Sequence, residues 1–380
     1  MVNATRPEIE AARRGPVKWD VAVHGSVLAA RFDQITTSAL PRRPALDTRR
    51  ARAALRRSGG MEASMGAPGW AHPVPTVPPD AARPSRSIDT WRRRLEHAAR
   101  VAMETDLVRA AGDVDAIFTH LRGVRSVPRS VPIVRSTNGV IPELWTWRRE
   151  GGDTAIRDAH CALERSLAGR AELVMCWTQH GADNLVAAGA DPARICVVPP
   201  ILDLSDPEPM TLPPTGHMRA VFVGGLAVQK GLPDVLEALR AAPEVELHIV
   251  GPVPPHGEHP PRTVWHGPLA PSRTAGLLQA ADVLVVPARF ESFGVTHVEA
   301  MRLGVAVIGS TIGTTSEIVG DTGVLVPPGD VDALSAALNQ LARTPSDRAR
   351  LARAGQARYE ERYAPEVAAA ALEASLLGRS

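Results

Sequence analysis

Read for its apolar and polar positions, the second half of the chain keeps a steady rhythm. Short unbroken apolar runs occur in "RAVFVGG" from Arg219, "VELHIVG" from Val245, "TVWHG" from Thr263, "DVLVVP" from Asp282, "VAVIGS" from Val305 and "GVLVPPG" from Gly323. Between them lie segments of helical period, after Gly231, from Pro271 and from about Val295, and further helices follow the last run. Strands apolar on both faces and separated by helices predict a parallel sheet covered on both sides, the doubly wound α/β arrangement.

The first half repeats this grammar less evenly. Strands are expected at "WDVAVHG" from Trp19, "DAIFTH" from Asp115, "VPIVRST" from Val131, "ELVMCWT" from Glu172 and "ICVVPP" from Ile195, with helices near residues 91–111 and 153–169. Between Pro41 and Pro84 the pattern fails; a stretch rich in Pro, Gly and Arg predicts a helix around Thr48 to Arg57 and then a long loop. The six prolines of Pro199 to His217 mark a linker. The expected domains are therefore 1–204, irregular over 41–84, and 205–362. A C-terminal helix over 363–380 is expected to pack back toward the first domain.

Length agrees, since 380 residues exceed one core of usual size. No apolar run approaches the roughly 18 residues of a membrane span, and the first twenty residues lack the apolar region of a secretory signal. Cys161, Cys176 and Cys196 are spaced for neither a disulfide framework nor a zinc site. A cytoplasmic protein is expected. Charge is divided unevenly, with 29 Lys+Arg against 21 Asp+Glu up to Pro200 and 14 against 20 beyond it. The arginines of residues 42–57 form either a solvated helix face or a peripheral contact with the inner membrane face; no nucleic-acid partner is expected. Among the basic residues only Lys18 and Lys230 are lysines, which singles out Lys230 as a place where a compact ammonium is wanted.

Two motifs carry chemistry. In "ARFESFGVTHVEAMRLG", Ala288 to Gly304, a strand ends at the carboxyl edge of its sheet, where α/β folds bind ligands, and Glu291 stands at that mouth. Gly294 allows close approach to the backbone, and the helix after it offers unpaired N–H groups suited to phosphate oxygens. Glu299 lies just over one turn into the helix. Ionised carboxylates only accept hydrogen bonds, which suits the vicinal hydroxyls of sugars. In "FVGGLAVQKG", Phe222 to Gly231, a strand meets paired glycines and then Lys230. Backbone amides near Gly224 and Gly225 can approach a diphosphate whose departure Lys230 would stabilise.

Together with "GVLVPPGD", these motifs resemble the C-terminal domain of family 4 glycosyltransferases, retaining enzymes of the GT-B fold. In that fold two Rossmann-like, doubly wound domains face a central cleft. The resemblance covers Arg219 to Arg362 well and the first half loosely. It implies a UDP-, GDP- or dTDP-sugar donor, with no further cofactor and no metal. It places Lys230 on the donor diphosphate, Glu291 on sugar hydroxyls, the amides of Phe293 and Gly294 beside them, and Glu299 on the ribose. The turn "WHGPL", with His266, Gly267 and Leu269, corresponds to the base-contacting turn. "DAIFTHLRG" resembles the strand-His element that sets His120 near the donor sugar; a capped edge histidine is the other reading. His24, Gly25, Ser26 and Asn138 are candidates on the acceptor side, where a small molecule or glycolipid is expected.

The chain departs from the family pattern at three places. Gly225 replaces a frequent arginine, which leaves Arg289 as a substitute cation; Asn138 replaces a frequent histidine; and "PPILD" replaces the usual hinge. Those departures keep open a second reading, a catalytically silent GT-B scaffold that binds a partner. An oxidoreductase is disfavoured, because no strand is followed by G-x-G-x-x-G with an acid about 20 residues on. Abundant Ala, Arg, Gly and Pro with almost no Lys fit a GC-rich bacterial genome, where such enzymes decorate natural products or envelope glycans.

Overall fold

The computed structural model describes residues 19–22, 116–120, 133–139, 154–202, 204–225, 227–251 and 259–376. The chain divides into two compact units, one of residues 1–137, 163–175 and 190–196, the other of residues 138–162, 176–189 and 197–380. Two stretches from the first half, 138–162 and 176–189, thus group with the second unit, across the boundary expected near residue 205. Side-chain contacts described below explain part of that grouping.

The first half contributes β1 (Trp19–Ala22), β2 (Ala116–His120), β3 (Ile133–Thr137), β4 (Leu173–Cys176) and β5 (Ile195–Val197), which line up in chain order. The ladders from β1 to β3 are parallel, with Trp19 opposite Ala116 and Ile117 opposite Ile133. Helix α1 (Thr154–Arg170) precedes β4 and α2 (Gln179–Ala187) follows it.

The second sheet contains β6 (Met218–Val223), β7 (Val245–Val250), β8 (Thr263–Gly267), β9 (Val283–Val285), β10 (Ala306–Ser310) and β11 (Val324–Val326). All its ladders are parallel, in the order β11-β10-β9-β6-β7-β8. The chain thus winds outward from β6 to β8, returns, and winds the other way from β9 to β11. That reversal between β6 and β9 is the topological switch point at which doubly wound sheets bind ligands. The helices are α3 (Leu232–Arg240), α4 (Pro271–Gln279), α5 (Val295–Arg302), α6 (Gly313–Val319), α7 (Val331–Arg343), α8 (Pro345–Arg362) and α9 (Pro365–Leu376).

The core follows from the pattern. Val221, Phe222, Leu247, Ile249, Val283, Leu284, Val285 and Ile308 are buried in the strands, and α3 and α7 lay Leu232, Val235, Leu239, Leu334, Leu338 and Leu341 against them at helical spacing. Every expected strand is present. Helices α2 and α6 were not expected, because neither has a clear apolar stripe and α6 is seven residues rich in β-branched side chains, which are weak helix formers. Tertiary contacts hold them instead. The Glu317 carboxylate of α6 accepts from the amides of Gln179 (2.7 Å) and His180 (2.8 Å), and Thr178 Oγ1 accepts from Gly181 at 3.0 Å. Three of the first amides of α2 would otherwise lack partners. Among the described residues no helix is long and apolar enough to cross a membrane. The expected segments at 41–84 and 91–111, and the arginines of 42–57, lie outside the described residues.

Candidate functional site

Both motif loops leave the second sheet at its reversal. Because β6 and β9 are neighbours, the loop from β6 to α3, with Lys230, runs beside the loop from β9 to α5, with Glu291. The two loops are knitted together. The Arg289 amide donates to the Gln229 carbonyl at 2.8 Å, the Gln229 side chain donates to the Phe290 carbonyl at 3.4 Å, and the Lys230 ammonium donates to the Glu291 carboxylate. Gly231 has φ 80°, and a β-carbon there would lie 2.4 Å from the Pro287 carbonyl oxygen, so no other residue lets the loops approach this closely. Gly294, with φ 96°, opens α5; a β-carbon there would lie 2.9 Å from a ring nitrogen of His297.

The ion pair is mostly withdrawn from water, with Lys230 18% and Glu291 4% exposed. Burial alone would raise the Glu291 carboxyl. The Lys230 ammonium, His297, and hydrogen bonds from Lys230 and the Ser292 amide outweigh that and hold it below the usual carboxylate range. Glu291 is thus a fixed, ionised acceptor. It does not cap α5, whose N-cap Gly294 has no side-chain partner. Behind it, His297 is fully buried, and burial above all lowers its pKa. The neutral ring donates from Nε2 to the Val286 carbonyl, 3.3 Å away.

The other candidates divide by position. Gly224, His266 and Gly267 sit with Lys230, Arg289, Glu291, Phe293 and Gly294 at the carboxyl ends of β6, β8 and β9. The Gly224 amide itself donates to the Val250 carbonyl at 3.0 Å, so the sheet ladder already uses it. Gly225 is exposed with open space beside it. Arg289, expected as the substitute cation, gives Nε and Nη2 to Asp234 of α3 at 2.6 to 3.2 Å, which leaves Nη1. Phe293 is buried between Trp177 and Tyr363, with ring centroids 5.8 and 6.1 Å away in edge-to-face contact, so its backbone and not its ring is available. Leu269 packs on the core.

Glu299 is half-buried on α5, and burial raises its carboxyl to about 7 against the opposing pull of Arg302. Asn138 lies against α2, its carbonyl oxygen 2.2 Å from where a β-carbon on Gly181 would stand. His120 ends β2 opposite Ser136; its side chain, and His24, Gly25 and Ser26, lie outside the described residues. Among the described residues no cluster of three His, Cys, Asp or Glu could hold a metal ion.

Several residues of this region escaped the sequence reading. Asp234 braces Arg289, and its only sequence signal is an acid in the first turn of a helix. Glu246 and His248 alternate along β7 and join His266 by hydrogen bonds. The Thr296 hydroxyl, in the first turn of α5, is buried with no hydrogen-bond partner among the described residues. Each depends on strands or loops distant in sequence, so local pattern could not single it out.

Residues 37–206 match the family described as Glycosyltransferase Family 4, and residues 217–344 match Glycosyl transferases group 1. Among curated relatives, a D-inositol 3-phosphate glycosyltransferase of Segniliparus rotundus is 31% identical over 246 residues, covering 55% of this chain and 54% of that one. An MMP alpha-(1->4)-mannosyltransferase of Mycolicibacterium hassiacum is 29% identical over 217 residues, 52% of each chain. The chain thus spans about half the length of the curated relatives it matches. Of solved structures, Anabaena Alr3699/HepE with UDP and glucose aligns at TM-score 0.58 and 20% identity, over 73% of this chain and 82% of that one. The sucrose-phosphate synthase of Thermosynechococcus elongatus aligns at 0.62 and 20% identity, over 80% and 83%.

Proposed function

This chain belongs to glycosyltransferase family 4 and has the GT-B fold, and from that premise we propose that it transfers a sugar from a nucleoside-diphosphate sugar to an acceptor hydroxyl with retention at the anomeric carbon. One observation carries this reading: Lys230 and Glu291, 61 residues apart, form a mostly buried ion pair at the switch point of the second sheet. The Anabaena relative solved with UDP and glucose supports a UDP-sugar as donor, with GDP- and dTDP-sugars as the alternatives.

In this scheme the bond between the anomeric carbon and the diphosphate oxygen breaks as the acceptor oxygen bonds to the same face of the sugar. The acceptor proton passes to a phosphate oxygen. Charge builds on the departing diphosphate, where Lys230 and the amides opening α5 stabilise it more in the transition state than in the ground state. Glu291 accepts from sugar hydroxyls and orients the ring, and the ionised Glu299 accepts from the ribose. The acceptor is a small molecule or glycolipid presenting a hydroxyl.

Purified protein incubated with a panel of nucleotide sugars and candidate acceptors is expected to release a nucleoside diphosphate with one of them. Calorimetry should show nucleoside diphosphate binding that weakens in Lys230→Ala. Tight binding unchanged by that substitution removes Lys230 from the scheme. Failure to bind any nucleoside diphosphate would favour the silent scaffold.

A further inference from the structure

The loop that carries Glu291 is held by its carbonyls, and two of the side chains that hold it are buried polar groups to which the scheme above gives no part. Strand β9 ends at Val285; Pro287 brings no amide to a ladder, and the Ala288 amide turns back to the Val286 carbonyl at 2.9 Å. From there to Gly294 the backbone must find partners outside a regular ladder. The neighbouring β10 pairs Ile308 with Val285 and runs on to Ser310. Ser310 is fully buried, and its hydroxyl donates to the Ala288 carbonyl at 2.6 Å. His297 of α5 is also fully buried; because a carbonyl only accepts, its Nε2 donates to the Val286 carbonyl, 3.3 Å away. The Gln229 side chain donates to the Phe290 carbonyl at 3.4 Å. Alternate carbonyls, at 286, 288 and 290, are thus each tied by a side chain from a different element, and the next residue is Glu291.

His297 also shares a neighbour with Glu291. A β-carbon on Gly294 would lie 2.9 Å from His297 Nδ1 and 3.4 Å from Glu291 Cγ, so both side chains flank one glycine. On the other edge of the ring, a β-carbon on Gly309 would lie 3.5 Å from His297 Nε2. An imidazole and a hydroxyl are costly to bury, and an apolar side chain at either position would carry no such cost. What the polar groups supply is direction, since each bond fixes a peptide plane shortly before Glu291. A displacement of about 1 Å can cost on the order of 100-fold in rate, so a loop outside the ladder needs such ties if its carboxylate is to serve a reaction.

We propose that Ser310 and His297 are positioning residues, which fasten the loop from Val286 to Glu291 so that the Glu291 carboxylate stays aligned on hydroxyls of the donor sugar. The alignment rests on the nucleotide-sugar reading, the fastening on the hydrogen bonds alone.

Two measurements separate these parts. Deuterium exchange reads the fastening without any ligand. Amides of residues 286–294 should exchange about tenfold faster in Ser310→Ala and in His297→Phe, the scale of one lost hydrogen bond. His297→Gln, whose amide can still reach the Val286 carbonyl, should stay within about threefold of the unsubstituted protein. Unchanged exchange in Ser310→Ala and His297→Phe overturns the proposal; if His297→Phe does not fold, Ser310→Ala decides. Turnover of the nucleotide sugar that the panel identifies reads the alignment. In Ser310→Ala and His297→Phe, kcat of the folded enzyme should fall about tenfold, while affinity for the corresponding nucleoside diphosphate stays within about twofold. In a Glu291→Gln background the same substitutions should cost less than about twofold, because the carboxylate they align is gone. A loss of equal size in both backgrounds, an unchanged kcat, or a diphosphate affinity that falls as far as kcat overturns action through Glu291. If no nucleotide sugar turns over and no nucleoside diphosphate binds, the nucleotide-sugar reading fails together with the alignment, while exchange still decides whether the loop is fastened.

Discussion

Each unit buries an ion pair, and the two pairs sit in contrasting places. Arg135 of β3 and Glu164 of α1 are 1% and 3% exposed, and join at 2.8 Å from mid-strand to the covering helix. Two further nitrogens of that guanidinium, Nε and Nη1, are buried with no hydrogen-bond partner among the described residues. Lys230 and Glu291 are also mostly buried, yet both come from loops at the carboxyl ends of strands, next to a helix start. The sheets differ in the same way. The five strands of the first run in chain order, whereas the second reverses between β6 and β9 and so opens a crevice there. Burial of charge alone does not mark a functional site; the position of the second pair at a switch point is what makes it the candidate.

The sharpest contrast comes from removing one partner of each pair. Arg135→Ala leaves Glu164 alone in the interior, and denaturant unfolding should show a loss of about 3–5 kcal/mol. Nucleoside diphosphate affinity of the folded fraction should stay within about twofold, because sites that share no partners act independently. An equal loss of affinity would erase the distinction drawn here. For Glu291→Gln, donor binding should stay near normal while turnover falls on the order of 100-fold, the scale of a misplaced sugar. An unimpaired rate would contradict its positioning role. Lys230→Ala removes a charge-assisted contact worth roughly 1.5–3 kcal/mol, so calorimetry should show diphosphate affinity falling about tenfold to 100-fold.

A smaller effect is expected from pH. Glu299, raised to about 7 by burial, contributes stability that is present below its unfolded value of 4.5 and is lost as pH rises through about 7. Ribose hydroxyls need the ionised form as acceptor, so diphosphate binding should strengthen between pH 6 and 8 by up to roughly tenfold. Glu299→Gln should flatten that rise; an unchanged profile would detach Glu299 from the nucleotide. Smallest of all is Gly225→Arg. The open space there accepts a side chain, and a restored cation should tighten diphosphate binding by roughly 3–5-fold in moderate salt. No gain would mean that position 225 does not face the phosphates.

Much of this was legible in order along the chain. The strand at Val283 to Val285 and the helix at Val295 follow from apolar runs and a breaking glycine, and the resemblance named Lys230 and Glu291. Helix α2 was not legible, because a capping carboxylate 137 or more residues away supplies what its own sequence lacks, and α6 was not because its seven residues are rich in β-branched side chains. Separations of 55 and 18 residues likewise hid Asp234 behind Arg289 and His248 behind His266.

The sequence by itself determined the alternation of strand and helix, the parallel sheets and the residues carried at strand ends, since these follow from local periodicity and backbone freedom. Only the tertiary structure decided that Lys230 meets Glu291, that Asp234 engages Arg289, and that the Gly224 amide is spent in the sheet. The physical reason is that hydrogen bonds and ion pairs depend on separations of a few ångströms. Strand order and loop approach set those separations, and neither is written in any one stretch of chain.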